Sequence, residues 1–302
     1  MKKIRLCRDP IKLRMPLWSF MVLFAVSGPQ AFSLGSAGNG PQDKTSEELL
    51  LRLQQEIGKI RTNQINYVAE EEQQQEEYNK KGELKKQRKL ISNYYRVRLG
   101  GMDNIIECRE VVSVNGEPTG DYDKLQRIFF SESESAVKQI NEVMKQNKKY
   151  NLGRRRDTNQ PWVGLRFADR DRHEHAVYYI DPKPSDAGEM LQLRFQEVDE
   201  ETLFRKGVPF SKPTPATGQY LFASEGKQFL GYDISVHEKT GAILFRLVAR
   251  YSRHKDEKLL PKSFEEYTYH ENGQVKTHSV SEFKNYRRFT SDAKIIQYEL
   301  IE

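Results

Sequence analysis

The sequence predicts an α+β fold in which one curved antiparallel β-sheet, a half-barrel, packs with two or three helices. Three observations lead there. An amphipathic helical stretch comes early in the chain, and a second helical block follows near its middle. Almost everything else reads as short runs of alternating apolar and polar residues separated by turn signals. No sequence repeat of 20–50 residues suggests a solenoid or propeller instead.

The chain opens with a stretch that concerns address rather than fold. Lys2, Lys3, Arg5, Arg8, Lys12 and Arg14 precede an apolar run, residues 17–26, and Ala31-Phe32-Ser33 supplies a small-x-small pattern. This is the layout of a cleaved export signal. The run lies between Pro16 and Pro29, and a helix needs roughly 20 apolar residues to cross the hydrocarbon core. Residues 1–33 are therefore expected to be a signal peptide, with an uncleaved anchor as the alternative. The product would be periplasmic or secreted, without a transmembrane segment after cleavage. No Cys follows the run, so a lipoprotein-type anchor is not indicated.

That segment also distorts the composition. The sequence pI is about 9.0, which on its face suggests nucleic acid. Residues 1–33 hold six of the 49 Lys and Arg but one of the 43 Asp and Glu, leaving the remainder at a net charge of +1. The electrostatic case for a nucleic-acid partner disappears with it. Cys7 lies in the signal, so Cys108 is the one thiol expected in the mature chain. An internal disulfide and a Cys-based zinc site are excluded, and the strand-like surroundings of Cys108 point to a packed thiol.

Residues 34–44 form a Gly-rich polar leader, and residues 45–302 are read as a single domain. Thr45-Ser46-Glu47-Glu48 has the form of a capping box. Leu50, Leu53, Ile57 and Ile60 then recur at helical spacing to about Ile65, one apolar stripe suited to covering a sheet. From Tyr67 the pattern turns to strands. The acidic run 70–77 and the basic run 85–89, joined across Gly82, are expected to form an exposed hairpin with opposite charges paired across it. Strands follow at 92–99 and 105–114, ending at the turn signal Asn115-Gly116. Helical periodicity covers 121–130 and 133–148, with Val137, Ile140 and Met144 as its packed face.

Residues 148–156 are the densest basic patch outside the signal, read as a solvated loop or a contact for anionic lipid headgroups. Strand signals resume at 163–167, 175–180 and 191–195. A Pro- and Gly-containing loop spans about 205–218. Strands at 220–223, 229–236, 242–250, 264–269, 275–283 and 294–300 complete the chain, with Glu271-Asn272-Gly273-Gln274 the clearest hairpin turn.

Chemical motifs are sparse. A G-x-S-x-G elbow, a Walker loop and a Rossmann glycine fingerprint are absent, so an enzyme is the minority expectation and no cofactor is expected. His173 and His175, in Asp169-Arg170-Asp171-Arg172-His173-Glu174-His175, are candidate metal ligands if they share a strand face. The same spacing also suits an exposed hairpin tip. A metal-dependent hydrolase would need a third ligand to join them. What remains is apolar shape. Leu165 and Phe167, Leu193 and Phe195, and Phe245 and Leu247 alternate with Arg166, Arg194 and Arg246. Each would give its strand one apolar face, either an ordinary core or the lining of a cavity for an acyl chain.

In its order of elements the chain resembles the periplasmic lipoprotein-carrier superfamily, the LolA/LolB-like proteins, and most closely uncharacterised secreted bacterial proteins of that architecture. The residues that carry this are the helix at 47–65 leading into Tyr67, the segment 111–118, the hairpin around Glu238-Lys239-Thr240-Gly241, and the segment 283–289. The resemblance implies a half-barrel closed by helices and, in the true carriers, a cavity for lipoprotein acyl chains. An apolar ligand or lipid, or a lipoprotein or other envelope protein, is then the expected partner. The aspartate–glycine and tryptophan–tyrosine–aspartate–proline run of the carriers is missing, Tyr232-Asp233 matching only part of it. The chain is also longer, with added loops near 150–160 and 205–218. A cell-envelope scaffold whose concave face is simply filled is the alternative.

Overall fold

A computed structural model describes residues 44–63, 66–98, 105–120, 123–129, 135–153, 160–180, 190–198, 201–206, 212–225, 227–254 and 258–288. The expected signal peptide, the leader up to residue 43, Arg154–156 of the basic patch, Pro209 and the strand at 294–300 lie outside these residues.

Helix α1 (Lys44–Asn63) begins one residue before the Thr45 expected as its cap. Strands β1 (Tyr67–Tyr78), β2 (Leu84–Arg98), β3 (Ile105–Val114) and β4 (Glu117–Pro118) follow, then α2 (Lys124–Phe129) and α3 (Ala136–Asn147). After a 3₁₀ turn at Lys148–Tyr150 and a longer 3₁₀ segment at Val163–Ala168, the remaining strands are β5 (Ala176–Ile180), β6 (Met190–Glu197), β7 (Phe204–Lys206), β8 (Lys212–Thr214), β9 (Ala216–Ala223), β10 (Phe229–His237), β11 (Ile243–Arg253), β12 (Leu259–Tyr269) and β13 (Val275–Arg288). Among the described residues no helix is long and apolar enough to cross a membrane.

Eleven strands form one antiparallel sheet in the order β4-β3-β2-β1-β13-β12-β11-β10-β9-β6-β5, and β7 and β8 form a small ribbon. The sheet does not close, since β4 and β5 are its two edges. It is strongly curved. Laid flat, eleven strands would spread over about 48 Å. Yet Tyr94 on β2 and Tyr178 on β5 belong to the same hydrophobic core, together with α1 and the 3₁₀ segment. The predicted half-barrel, one curved unclosed sheet packed with helices, is what the structure shows.

The turns explain the local pairing. Asn115 (φ 51°) and Gly116 (φ 86°) both lie in the left-handed region, as a two-residue hairpin loop between β3 and β4 requires. The acidic and basic runs do pair across β1 and β2, with Glu77 opposite Lys86 and Gln75 opposite Arg88. At the tip, Asn79 Oδ1 accepts from the backbone N–H groups of Lys81 (2.8 Å) and Glu83 (3.1 Å).

Two layers cover the sheet. On the convex side α2 and α3 pack over β1–β3, burying Tyr95, Val97, Cys108, Leu125, Ile140 and Val143. The packed face of α3 is Ala136, Ile140 and Val143, with Met144 partly buried beside them. It is thus rotated slightly from the expected stripe of Val137, Ile140 and Met144. Cys108 is the packed thiol expected, and burial pushes its pKa up. On the concave side α1 lays Leu49, Leu50, Leu53, Ile57 and Ile60 into the core, each contributing about 1.5–3 kcal/mol of burial. Polar ties hold the helix at both ends. Lys227 Nζ pairs with Glu48 (2.6 Å) and Arg253 with Glu56 (2.8 Å). From β2, Arg96 donates to the Ile60 carbonyl (3.1 Å).

Candidate ligand site on the concave face

The antiparallel registers place one side chain in two from each strand on the concave face. Tyr232 on β10 lies opposite Tyr220 on β9 and Ala249 on β11. Leu193 on β6 faces Tyr220 from the other side. The result is an aromatic lining running from Tyr178 through Phe195 (centroids 6.0 Å apart) and Tyr220 (5.4 Å) to Phe229 (6.4 Å) and Tyr251 (5.4 Å).

The chain itself occupies this trough. Residues 163–167, expected as a strand, instead form the 3₁₀ segment Val163–Ala168. It enters through a turn in which Val163 N–H donates to the Gln160 carbonyl (3.0 Å). The V-G-L-R-F alternation fits a strand, but here Trp162, Leu165, Phe167 and Ala168 are all buried against the sheet. Gly164 is the point of closest approach. A Cβ there would lie 2.5 Å from Cζ of Tyr232.

Irregular backbone buried in an apolar trough needs partners for its polar groups, and the sheet supplies them as tyrosine hydroxyls. Tyr178 Oη donates to the Phe167 carbonyl (2.7 Å), Tyr220 to Gly164 (2.9 Å), and Tyr232 and Tyr251 both to Pro161 (2.7 and 2.5 Å). Trp162 Nε1 donates to Tyr67 Oη (3.1 Å), and the Arg96 guanidinium stacks over the indole at 4.8 Å. Burial raises the pKa of Tyr178, Tyr220, Tyr232 and Tyr251, so all four stay protonated donors at neutral pH. Two carboxylates bracket the segment, Glu107 partly buried and Asp169 buried. Glu107 accepts from Tyr94 Oη (3.0 Å) and from the Trp162 backbone, and Asp169 pairs with Arg61 of α1. Desolvation raises the pKa of both acids, against the opposing pull of Arg96 and Arg61 respectively.

The six residues expected to line a cavity are brought together in one core. Leu193 and Phe195 lie on β6, and Phe245 and Leu247 on β11, as alternation predicted. Leu165 and Phe167 belong to the inserted segment rather than to the sheet. The most exposed of the six, Phe245, has 6% of its surface accessible. In the present arrangement they pack against one another.

His173 and His175 do not share a strand face. They sit on a 3₁₀ turn, His173–His175, that leads into β5. His173 Nδ1 lies 2.9 Å from the Arg170 carbonyl oxygen, and His175 faces Glu201 at 3.9 Å. Among the described residues no group of three or more His, Cys, Asp or Glu side chains is placed to hold a metal ion.

A second concave feature has no local signal in the sequence. In the β1–β2 hairpin, expected to be exposed, Glu71, Gln73 and Gln75 turn inward and are buried. They meet Arg109 of β3, which lies 3.5 Å from Glu71 Oε2 and donates to Gln73 Oε1 (2.8 Å) and to Asn151 Oδ1. Ser281 of β13 donates to Glu71 (2.7 Å). The inner face therefore changes from aromatic near α1 to polar toward the hairpin tips. Outside the barrel, α2 and α3 border an open groove of about 670 Å³, with Ile128 and Val143 in its floor and Lys124, Arg127 and Lys138 along it.

No protein-family model matches the chain, and no curated sequence matches it significantly. Solved structures similar to it include two of bacterial proteins. One is a DUF1329 family protein from Desulfovibrio piger, with a TM-score of 0.38, 10% identity, and coverage of 81% of this chain and 92% of that one. The other is a LolA superfamily protein from Nitrosomonas europaea, with a TM-score of 0.33, 8% identity, and coverage of 80% and 94%. Both are loose likenesses, and a reading of function rests on the geometry of the site itself.

Proposed function

We propose that this chain is an extracytoplasmic, non-enzymatic binding protein that takes an apolar ligand, a lipid or a lipidated partner, into its half-barrel. One observation carries the proposal. A broad aromatic concave face is covered not by a second sheet but by two separate pieces of chain, α1 and the 3₁₀ segment Val163–Ala168. Leu193, Phe195, Phe245 and Leu247 would line the space that opens when a cover withdraws, with Leu165 and Phe167 added where the cover that moves is α1. Apolar pockets with a few placed polar groups are the usual form of small-ligand sites, and the tyrosine hydroxyls are such groups. The test is native mass spectrometry with lipid extraction on protein recovered from a bacterial periplasm. Bound acyl lipid at near-stoichiometric occupancy is expected. Ligand-free protein that also takes up no lipid on incubation would refute the proposal.

A second reading has its own support. All six candidate residues are packed to 6% exposure or less, as a permanently filled core would be. The chain would then be an envelope interaction module that works through its outer surface, and the same experiment would find no lipid.

A further inference from the structure

Four tyrosine hydroxyls point into the concave trough, from β5, β9, β10 and β11. Each of them donates to a main-chain carbonyl of the segment 161–168. That segment belongs to no sheet ladder. Its backbone bonds are its own i→i+3 turns, such as Leu165 N–H to the Trp162 carbonyl (3.1 Å). It is held by the hydroxyls, by Glu107 and by aromatic packing, in the manner of a bound peptide. Withdrawing it into solvent would take from four buried hydroxyls the carbonyls that they donate to. A buried unpaired donor costs far more than an ordinary hydrogen bond contributes. A ligand of hydrocarbon alone therefore cannot take its place without a penalty, whereas one that carries carbonyl oxygens can.

We propose that residues 161–168 are an exchangeable internal occupant of the ligand site, and that the ligand replacing them is an ester-linked acyl lipid whose carbonyls take over the tyrosine hydroxyls. The inference rests on the apolar-ligand reading and narrows it from apolar molecules in general to those with carbonyls beside the chains. Tyr220 and Tyr232 would receive the ester oxygens in place of Gly164 and Pro161. Phe195 and Leu247 would pack the acyl chains that displace Leu165 and Phe167.

Trp162 makes the exchange observable. The chain has two tryptophans, Trp18 and Trp162, so a full chain carrying Trp18→Phe reports on the occupant alone. Dioleoylphosphatidylcholine and its ether-linked dialkyl counterpart, each supplied from micelles of a nonionic detergent, are titrated into this protein. Binding is read by native mass spectrometry, and the position of the segment by Trp162 emission. The ester lipid is expected to bind at least about tenfold more tightly than the ether and to shift the emission to the red. Tyr220→Phe is expected to shrink that preference severalfold, and an unchanged preference would remove Tyr220 from the role assigned to it. Binding of lipid with Trp162 emission unmoved overturns the exchange and leaves the ligand-binding reading standing. A red shift with equal affinity for ester and ether overturns the carbonyl matching. If neither lipid binds, the ligand-binding reading fails and this inference fails with it.

Discussion

Replacing Gly164 by alanine adds one methyl group where the inserted segment meets the sheet. The new Cβ would lie 2.5, 2.6 and 2.7 Å from three carbons of the Tyr232 ring, closer than real Cβ contacts come. The ring has little room to yield. Tyr232 is fully buried, its hydroxyl is tied to the Pro161 carbonyl at 2.7 Å, and Tyr251 packs nearby at 6.3 Å. Overpacking of this kind costs about 1–3 kcal/mol, and the bond from Tyr220 to the Gly164 carbonyl is worth about 1 kcal/mol more. A loss of about 2–4 kcal/mol is expected, or a fall in Tm of roughly 4–8 °C for a domain of this size. The control is Gly58→Ala on α1. Gly58 is exposed and a Cβ there meets nothing within 4 Å, so alanine should stabilise by about 0.5–1 kcal/mol. Thermal melts followed by circular dichroism and by Trp162 emission compare the two variants. If Gly164→Ala matches the wild type in Tm and in emission, the segment is not seated against Tyr232 and the description of the trough is wrong.

Other expectations follow from the same coordinates. Arg109→Ala leaves the Glu71 carboxylate buried without its cation, and should cost about 3–5 kcal/mol in urea denaturation; a loss below 1 kcal/mol would mean that the pair is solvated. Desolvation raises the pKa of Glu107, Glu110, Asp169 and Glu197 in the fold. On acidification the folded state takes up these protons before the unfolded chain does. His237, whose pKa burial lowers, acts in the opposite sense below its ordinary value. It is one group against four, so the Tm should hold or rise from pH 7 to about 5. It should fall only below the ordinary carboxylate range, where Glu72 and Glu265, both lowered by hydrogen bonds from basic partners, lose their charge. A Tm that declines steadily from pH 7 would contradict this. In a chain carrying Cys7→Ser, Cys108 should react with a thiol reagent only at the rate of global unfolding, because the thiol is buried and its pKa raised. Lys227→Ala removes a solvent-screened tie to Glu48 and should leave the thermal melt where it is in the wild type; a clear fall in Tm would show that the tie anchors α1.

The sequence carried the hairpins well because their signals are local. Asn115-Gly116 and Asn272-Gly273 mark turns by backbone preference alone, and the charge pattern of 70–89 sets its own pairing. The stripe of α1 was legible for the same reason, since Leu50, Leu53, Ile57 and Ile60 repeat at the helical period and are all buried. Residues 163–167 were not, because Leu165, Arg166 and Phe167 alternate as strand residues do. What makes them a 3₁₀ segment is distant, namely the tyrosines of four strands and the fit of Gly164 to Tyr232. Pro161, which opens the turn just before, was the one local hint. The inward face of β1 was hidden in a similar way. Glu71, Gln73 and Gln75 look like solvated residues until Arg109 and Ser281, far away in sequence, are placed beside them. For the ligand site, alternation located Leu193, Phe195, Phe245 and Leu247 on their strands. It could not reveal that the chain folds its own segment over them.

The pairing of β1 with β13 governs the order in which the molecule can be assembled. Gln73 and Ser281, 208 positions apart, are hydrogen-bonded across this seam, and Tyr67 is opposite Arg288. Until β13 has been synthesised, β4-β3-β2-β1 and β12 through β5 are two separate ribbons, each with a raw edge. The trough is incomplete before they join: its aromatic lining from Tyr178 to Tyr251 lies on one ribbon, while Tyr67 and Tyr94, which reach Trp162 and Glu107, lie on the other. Long-range closure of this kind is slow. Under the extracytoplasmic reading proposed above, the step that completes the concave face would then come after the chain had crossed the membrane unfolded.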